Sequence, residues 1–375
     1  MTYKYKVAII GTGRMGGLIQ DEVPDNSFSS PYGHFSSYEF LDSTSVIAVA
    51  NRGEERLKRF SARFGVDKTY LDYREMIEKE KPDIVSVTTP SVNRADPIIF
   101  AAENGVKGIY AEKGLCASLA EADKIRNAII SNKVAFNWGA MRRHHDGYVK
   151  MAEAIANGQI GEPRYAVMLT HTDLIKHHPH TIDLVQMQLG DPEPIWVEGT
   201  LVKKGDLLEE GRSSGPKRRG RSPISGFPEY DAESHSFPPP EGEEIADPMV
   251  GYFRVGFKGG VEGLFLPAGT YDIEIYGTEG KAYSWENGDT FKIRRAGKGA
   301  STVEEIEIRP SGDSPTVSTI KNIINEIETG ERTTGNIDVT MQAVETQFGV
   351  AHSDLLGGAR VELPVKDRTL YIPGG

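Results

Sequence analysis

The sequence predicts an α/β protein whose N-terminal part is a doubly wound parallel sheet and which continues into a second domain. Three observations carry this expectation. The run Val7-Ala8-Ile9-Ile10, apolar and rich in β-branched residues, reads as a strand buried on both faces, and it leads straight into Gly11-Thr12-Gly13-Arg14-Met15-Gly16. Short apolar runs then alternate with helical patterns at the spacing of parallel βα units. Finally, 375 residues exceed what one typical core holds.

The glycine turn has the G-x-G-x-x-G form in the context that gives it meaning, after a buried strand and before a helix. Gly11 permits the tight turn, Gly13 lets the backbone approach a pyrophosphate, and Gly16 lets the next helix lie close, so that its N-terminus faces the phosphate charge. A dinucleotide cofactor is therefore expected at Gly11, Thr12, Gly13, Arg14, Met15 and Gly16.

Composition narrows the class. Apolar residues at 38% and charged residues at 26% are ordinary for a globular chain, which argues against a fibrous or disordered one. Cys116 stands alone, so no internal disulfide forms, as suits a reducing cytoplasm. The first strand begins almost at once, which leaves no room for a signal peptide, and no apolar run approaches the roughly 20 residues of a membrane span. A net charge of −11 argues against nucleic acid as the main partner.

In order, the helix after Gly16 reads as short, and Asp21 to Ser30 as a polar insertion ending at Pro31. Val46 to Ala50 is the second strand, followed by Asn51-Arg52-Gly53. The usual acidic partner of the adenosine ribose comes about 20 residues after the glycines; about 35 residues on, this chain offers Asn51 and Arg52 instead. A neutral residue beside a guanidinium accepts a 2′-phosphate, so NADP is slightly preferred over NAD. Helices are expected from Glu54 to Phe64, Tyr73 to Lys79 and Pro97 to Asn104, and strands from Asp83 to Thr89 and Gly108 to Ala111. Thr89-Pro90 and Glu112-Lys113 close the last two strands, where ligands bind in such sheets.

These motifs, with Ser118-Leu119-Ala120-Glu121-Ala122, Ile160-Gly161-Glu162-Pro163, Tyr276-Gly277-Thr278-Glu279-Gly280 and Arg360-Val361-Glu362-Leu363-Pro364, resemble the Gfo/Idh/MocA oxidoreductases along essentially the whole chain. The resemblance implies an N-terminal Rossmann domain, residues 1–138, and a substrate-binding and oligomerising α+β domain, residues 139–375, with an open-faced, mainly antiparallel sheet. It implies hydride transfer between NAD or NADP and a secondary hydroxyl or ketone of a sugar, sugar acid or cyclitol. It also implies that Lys113 lies between nicotinamide ribose and substrate hydroxyl, holding the oxygen as hydride leaves. Gly114 replaces the family's proline, and Arg94 stands where a histidine is frequent.

In the second domain a helix is expected from Tyr148 to Asn157, a strand from Arg164 to Thr170, and a helix starting at Pro179 and ending near Leu189. His180 and Asp183 are three apart and share a helical face. The resemblance makes His180 the general acid/base; a near-neutral pKa would suit proton exchange, an effect on the order of 10²- to 10⁴-fold. Asp183 then orients the segment. Lys176 occupies the place of the family's first aspartate, and Arg142, Arg143, Lys176 and His177 are expected to line the substrate side. Four histidines crowd this stretch, but not at the i, i+4 spacing of a helical zinc site, so no metal is expected.

Six further strands are expected between Pro194 and Arg294, then helices from Thr316 to Thr329 and Ile337 to Leu356. The polar insertion at 203–247 contains Lys217-Arg218-Arg219-Gly220-Arg221, a run read mainly as solvated. The open sheet face is expected to pair subunits into a homodimer or homotetramer. Two alternatives to a dehydrogenase remain: a coenzyme-retaining enzyme that cleaves glycosides through transient oxidation, and a cofactor-sensing regulator without catalysis.

Overall fold

The structure is a computed structural model describing residues 4–23, 30–203, 247–297, 303–310 and 312–374. The Lys217–Arg221 run lies outside the described residues.

The first sheet is parallel throughout. Its strands are β1 (Tyr5–Ile10), β2 (Thr44–Ala50), β3 (Thr69–Tyr70), β4 (Ile84–Val87), β5 (Gly108–Ala111) and β6 (Ala135–Trp138), in the order β3-β2-β1-β4-β5-β6. The order reverses at β1 and β4, so the crevice outside their carboxyl ends is the switch point where ligands bind. Alternate side chains of β1 serve opposite faces: Val7 and Ile9 pack with Tyr38, Leu57 and Phe60, while Ala8 and Ile10 pack with Met76 and Ile98.

The connecting helices are α1 (His34–Glu39), α2 (Glu54–Phe64), α3 (Tyr73–Glu80), α4 (Ala95–Glu103) and α5 (Leu119–Ser131). Local chemistry ends and starts them where the sequence indicates: Gly65 closes α2 in the left-handed region at φ +70°, and Ser118 Oγ caps α5 by accepting the Glu121 N–H. In this domain α1, the two-residue β3 and β6 lie outside the elements expected from the sequence. After Gly16 the chain forms a five-residue 3-10 turn, Leu18–Glu22, in place of an α-helix.

The second sheet has nine strands in the described residues. These are β7 (Pro163–Thr170), β8 (Pro194–Leu201), β9 (Val250–Phe257), β10 (Glu262–Leu266), β11 (Thr270–Gly277), β12 (Gly280–Trp285), β13 (Thr290–Ala296), β14 (Val303–Glu307) and β15 (Val361–Glu362). Their order is β14-β13-β12-β11-β7-β10-β9-β8-β15, and every pair is antiparallel except β10 with β7. The inner face is covered by α6 (Asp146–Ala156), α7 (His178–Gln188) and α9 (Ile337–Leu355). The outer face carries Tyr165, Tyr252, Tyr276 and Trp285, all exposed.

The helix α8 (Pro315–Thr329) packs on the first sheet. Ile320 and Ile323 share a core with Val7, Ile84 and Tyr110, and a Cβ on Gly108 would stand 2.7 Å from Ile323. Among the described residues no helix is long and apolar enough to cross a membrane.

Candidate active site

The glycine turn is built as a dinucleotide cradle requires. Gly11 sits at φ +103°, and a Cβ there would meet Thr88 Oγ1 at 2.7 Å. A Cβ on Gly16 would stand 2.3 Å from the Gly11 carbonyl oxygen, so the turn closes only on glycine. A Cβ on Gly13 would meet nothing within 4 Å, because this glycine faces the open cleft. Thr12 is fully buried with its hydroxyl unpartnered, a polar atom waiting for a ligand at the tip of β1. These features fit a dinucleotide phosphate bound to backbone N–H groups, with the 3-10 turn standing where an α-helix N-terminus was expected.

A cavity of about 310 Å³ runs from this turn across the sheet to the second domain. Gly11, Gly13, Arg14, Met15, Asn51, Arg52, Thr89, Pro90, Glu112, Lys113 and Lys176 all line it. Arg56, Asn93, Arg94 and Gly374 also line it and had not been assigned to the site. Arg14 is held by Glu22 through contacts of 3.0, 2.9 and 2.7 Å.

Glu112 is buried, and its carboxylate accepts the Lys113 N–H at 3.2 Å and faces His34 Nε2 at 3.2 Å. Burial alone would raise this carboxyl, but the His34 contact and the charges of Lys113 and Arg94 outweigh it and leave it lowered. The Lys113 ammonium is lowered from its ordinary value by burial, opposed by Glu112 and assisted by Arg94, Arg142 and Arg14. It makes no hydrogen bond or ion pair among the described residues.

Gly114 and Arg94 belong to one arrangement. A Cβ on Gly114 would stand 2.7 Å from the Ile175 side chain and 2.8 Å from its carbonyl oxygen, leaving no room for a proline ring. The Arg94 guanidinium donates to the carbonyls of Gly114 and Thr89 and so ties the two strand-end loops together. From the other side Asp247 accepts the N–H groups of Ile175 at 2.8 Å and Lys176 at 3.2 Å, which fixes the segment before α7.

The second domain supplies His180, only 7% exposed, with Nδ1 unpartnered. Burial, then the charges of Arg142, Lys113 and His177, push its pKa well below the ordinary value, which corrects the expectation of a near-neutral pKa. Arg142 bonds Asn287 Oδ1 at 2.9 and 2.6 Å and stacks over Tyr271. His177 Nδ1 lies 3.4 Å from Asp173 Oδ2.

Arg143 and Asp183 are placed differently. They join each other, with Arg143 Nε 3.0 and 3.1 Å from the two Asp183 oxygens, and Arg143 also binds Asp191 at 2.8 and 2.7 Å. Arg143 lines a separate cavity with Asp191, and Asp183 pairs with it rather than with His180, since the guanidinium outcompetes a neutral imidazole for the carboxylate. Among the described residues no group of three His, Cys, Asp or Glu side chains is arranged to hold a metal ion.

The fold and the glycine turn are those of a Rossmann domain followed by a mainly antiparallel sheet domain. Residues 5–140 match the profile of the Gfo/Idh/MocA proteins, described as oxidoreductase family, NAD-binding Rossmann fold. It is 27% identical over 185 residues to a myo-inositol 2-dehydrogenase of Thermotoga maritima, covering 49% of each chain. It is 28% identical over 205 residues to a scyllo-inositol 2-dehydrogenase (NAD(+)) of Bacillus subtilis, covering 51% of this chain and 55% of that one. The matches therefore span about half the length of these relatives. Over 97% of this chain the fold is that of an oxidoreductase domain protein from Kribbella flavida, with a TM-score of 0.73 at 18% identity.

Proposed function

We propose that this chain is an NAD(P)-dependent dehydrogenase or reductase acting on a CH–OH group of a sugar, sugar acid or cyclitol. The observation that carries the reading is the unpartnered Lys113 ammonium in the wall of a cleft that begins at the glycine turn. When bound, the nicotinamide accepts or returns the hydride.

The residues of this chain supply the rest. The glycine turn and Thr12 hold the phosphates. Lys113 hydrogen-bonds the substrate oxygen and stabilises the negative charge it develops as its C–H bond breaks. His180, held neutral, has a nitrogen lone pair to take the hydroxyl proton, and returns it in the reverse direction. Arg142, His177 and Lys176 orient the substrate from the second domain.

Within this reading NADP is the preferred coenzyme. Arg52 and Arg56 line the cavity beside Asn51 at the end of β2, and among the described residues Glu112 is the one carboxylate lining it. Two guanidinium groups there would pair with a 2′-phosphate. The subunits associate through the outer face of the nine-stranded sheet.

The test is coenzyme reduction, followed by the absorbance of reduced nicotinamide, with NAD and NADP against a panel of sugars, sugar acids and cyclitols. Steady turnover that Lys113→Ala abolishes supports the reading. A coenzyme that stays bound and never accumulates in reduced form contradicts it and favours the glycoside-cleaving or regulatory alternative.

A further inference from the structure

The substrate end of the cleft carries a charge excess that a dinucleotide does not balance. Among the described residues the lining holds six cations, Arg14, Arg52, Arg56, Arg94, Lys113 and Lys176, and one carboxylate, Glu112. Arg14 is held by Glu22, Arg52 and Arg56 stand at the far end beyond β2, and Glu112 already faces His34. Arg94, Lys113 and Lys176 remain around the Glu112-Lys113-Gly114 loop. An oxidised nicotinamide would bring one further positive charge to the same place.

Two of the groups there are built into the wall and left incomplete. Arg94 is 3% exposed, its terminal nitrogens donate to backbone carbonyls, and its Nε has no partner. Asn93 is 4% exposed, and neither its Oδ1 nor its Nδ2 has a partner. A buried guanidinium with an unpartnered Nε, next to an unsatisfied amide, is costly unless a ligand completes both. The Lys176 ammonium makes no hydrogen bond or ion pair among the described residues. Asp247 interacts with it electrostatically, but both Asp247 oxygens already accept backbone N–H groups.

We propose that the substrate bears an oxyanion, a carboxylate or a phosphate, seated at this end of the cleft on Lys176, with Arg94 and the Asn93 amide behind it. This rests on the oxidoreductase reading and names the kind of polyol: an acidic one, unlike the neutral inositols in the names of the relatives. Lys113 then keeps its ammonium for the reacting oxygen, and the substrate's own charge offsets the crowding of cations around it.

The experiment is equilibrium binding by calorimetry to the full chain, with and without coenzyme. The probes are matched neutral aldoses, the corresponding uronates and the corresponding terminal sugar phosphates. One anionic series is expected to bind at least about tenfold more tightly than the neutral one, with the advantage shrinking as salt rises, because a hydrogen-bonded charge pair contributes on that scale. Which series gains identifies the anion. Lys176→Met is expected to remove most of that advantage, and the melting temperature of the variant shows whether it is folded.

Equal binding of all three series, or a Lys176→Met loss of the same size in each, overturns the proposal. Binding does not require turnover, so the two readings fail separately. Tight anion binding with no hydride transfer would overturn the dehydrogenase and leave the oxyanion site standing. Turnover of neutral sugars with no anion advantage would do the reverse.

Discussion

His34 Nε2 lies 3.2 Å from Glu112 Oε1, and His34 Nδ1 lies 2.9 Å from Ser86 Oγ, which is itself 3.0 Å from the Tyr38 hydroxyl. A continuous buried polar chain thus runs from the core of the first domain to the Glu112-Lys113 loop. Glu112 needs it, because a buried carboxylate stays ionised only when hydrogen-bonded and faced by positive charge. His34→Leu removes that partner and is expected to cost about 1–3 kcal/mol of stability, read by urea denaturation. It should also lower turnover, since the Lys113 backbone is anchored on the same carboxylate.

The second and third glycines of the motif separate binding from folding. A side chain at Gly13 enters open cleft, so Gly13→Val is expected to keep the wild-type melting temperature and to lose coenzyme binding in calorimetry. A side chain at Gly16 collides with the Gly11 backbone at 2.3 Å, so Gly16→Val is expected to destabilise the protein before any coenzyme is added.

The pH profile should carry the marks of Lys113 and His180. The ammonium form of Lys113 is the working form and its pKa is lowered, so kcat/KM is expected to fall with an alkaline limb below the ordinary lysine value of 10.5. His180 works neutral, so activity should persist through pH 6.5 and decline only well below it. His180→Gln is expected to remove the acid limb and lower kcat on the order of 10²- to 10³-fold.

Glu121 gives a stability signature away from the site. Burial raises its carboxyl from 4.5 to about 7, although Oε2 accepts the Ala117 N–H at 2.8 Å. A carboxyl whose folded pKa is raised favours the folded state below the unfolded pKa, and that contribution is lost as pH rises through the folded pKa. Wild-type stability relative to Glu121→Gln is therefore expected to drop between about pH 4.5 and pH 7, by about 3 kcal/mol. Parallel melting curves of the two proteins across that range check it.

The outer sheet face makes a prediction about assembly. Tyr165 and Tyr276 are directly paired across β7 and β11, and both are exposed, at 58% and 39%. An aromatic face of this kind is expected to be covered by a second subunit. Light scattering should show an oligomer for the wild type and a smaller species for Tyr165→Glu.

Much of this architecture is legible in the sequence where its cause is local. The limits of α2, β5 and β9 match the residues expected for them because a glycine, a turn or a change of period marks each end. The strand β14 gives no such sign: Val-Glu-Glu-Ile-Glu is an exposed edge strand without an apolar stripe. The short α1 hides for a related reason, since six residues hold too few apolar positions to show a helical period.

The site is legible to the same extent. Lys113, the glycine turn and Arg52 sit at strand ends, which the alternation of elements locates in advance. Gly374 reaches the cleft, and Asp247 the Ile175-Lys176 segment behind it, from far along the chain, and nothing in their own neighbourhoods marks them. Asp183 shows the limit of spacing arguments: it stands one helical turn from His180, yet Arg143, from another element, takes its carboxylate.

The central claim is that the cleft between the glycine turn and Lys113 holds a nicotinamide dinucleotide. Calorimetric titration of the purified protein with NADP and with NAD tests it most directly. One coenzyme per chain, bound by the wild type and lost in Gly13→Val with the fold intact, is the expected result, with NADP the tighter of the two. A folded wild type that binds neither coenzyme would contradict the account.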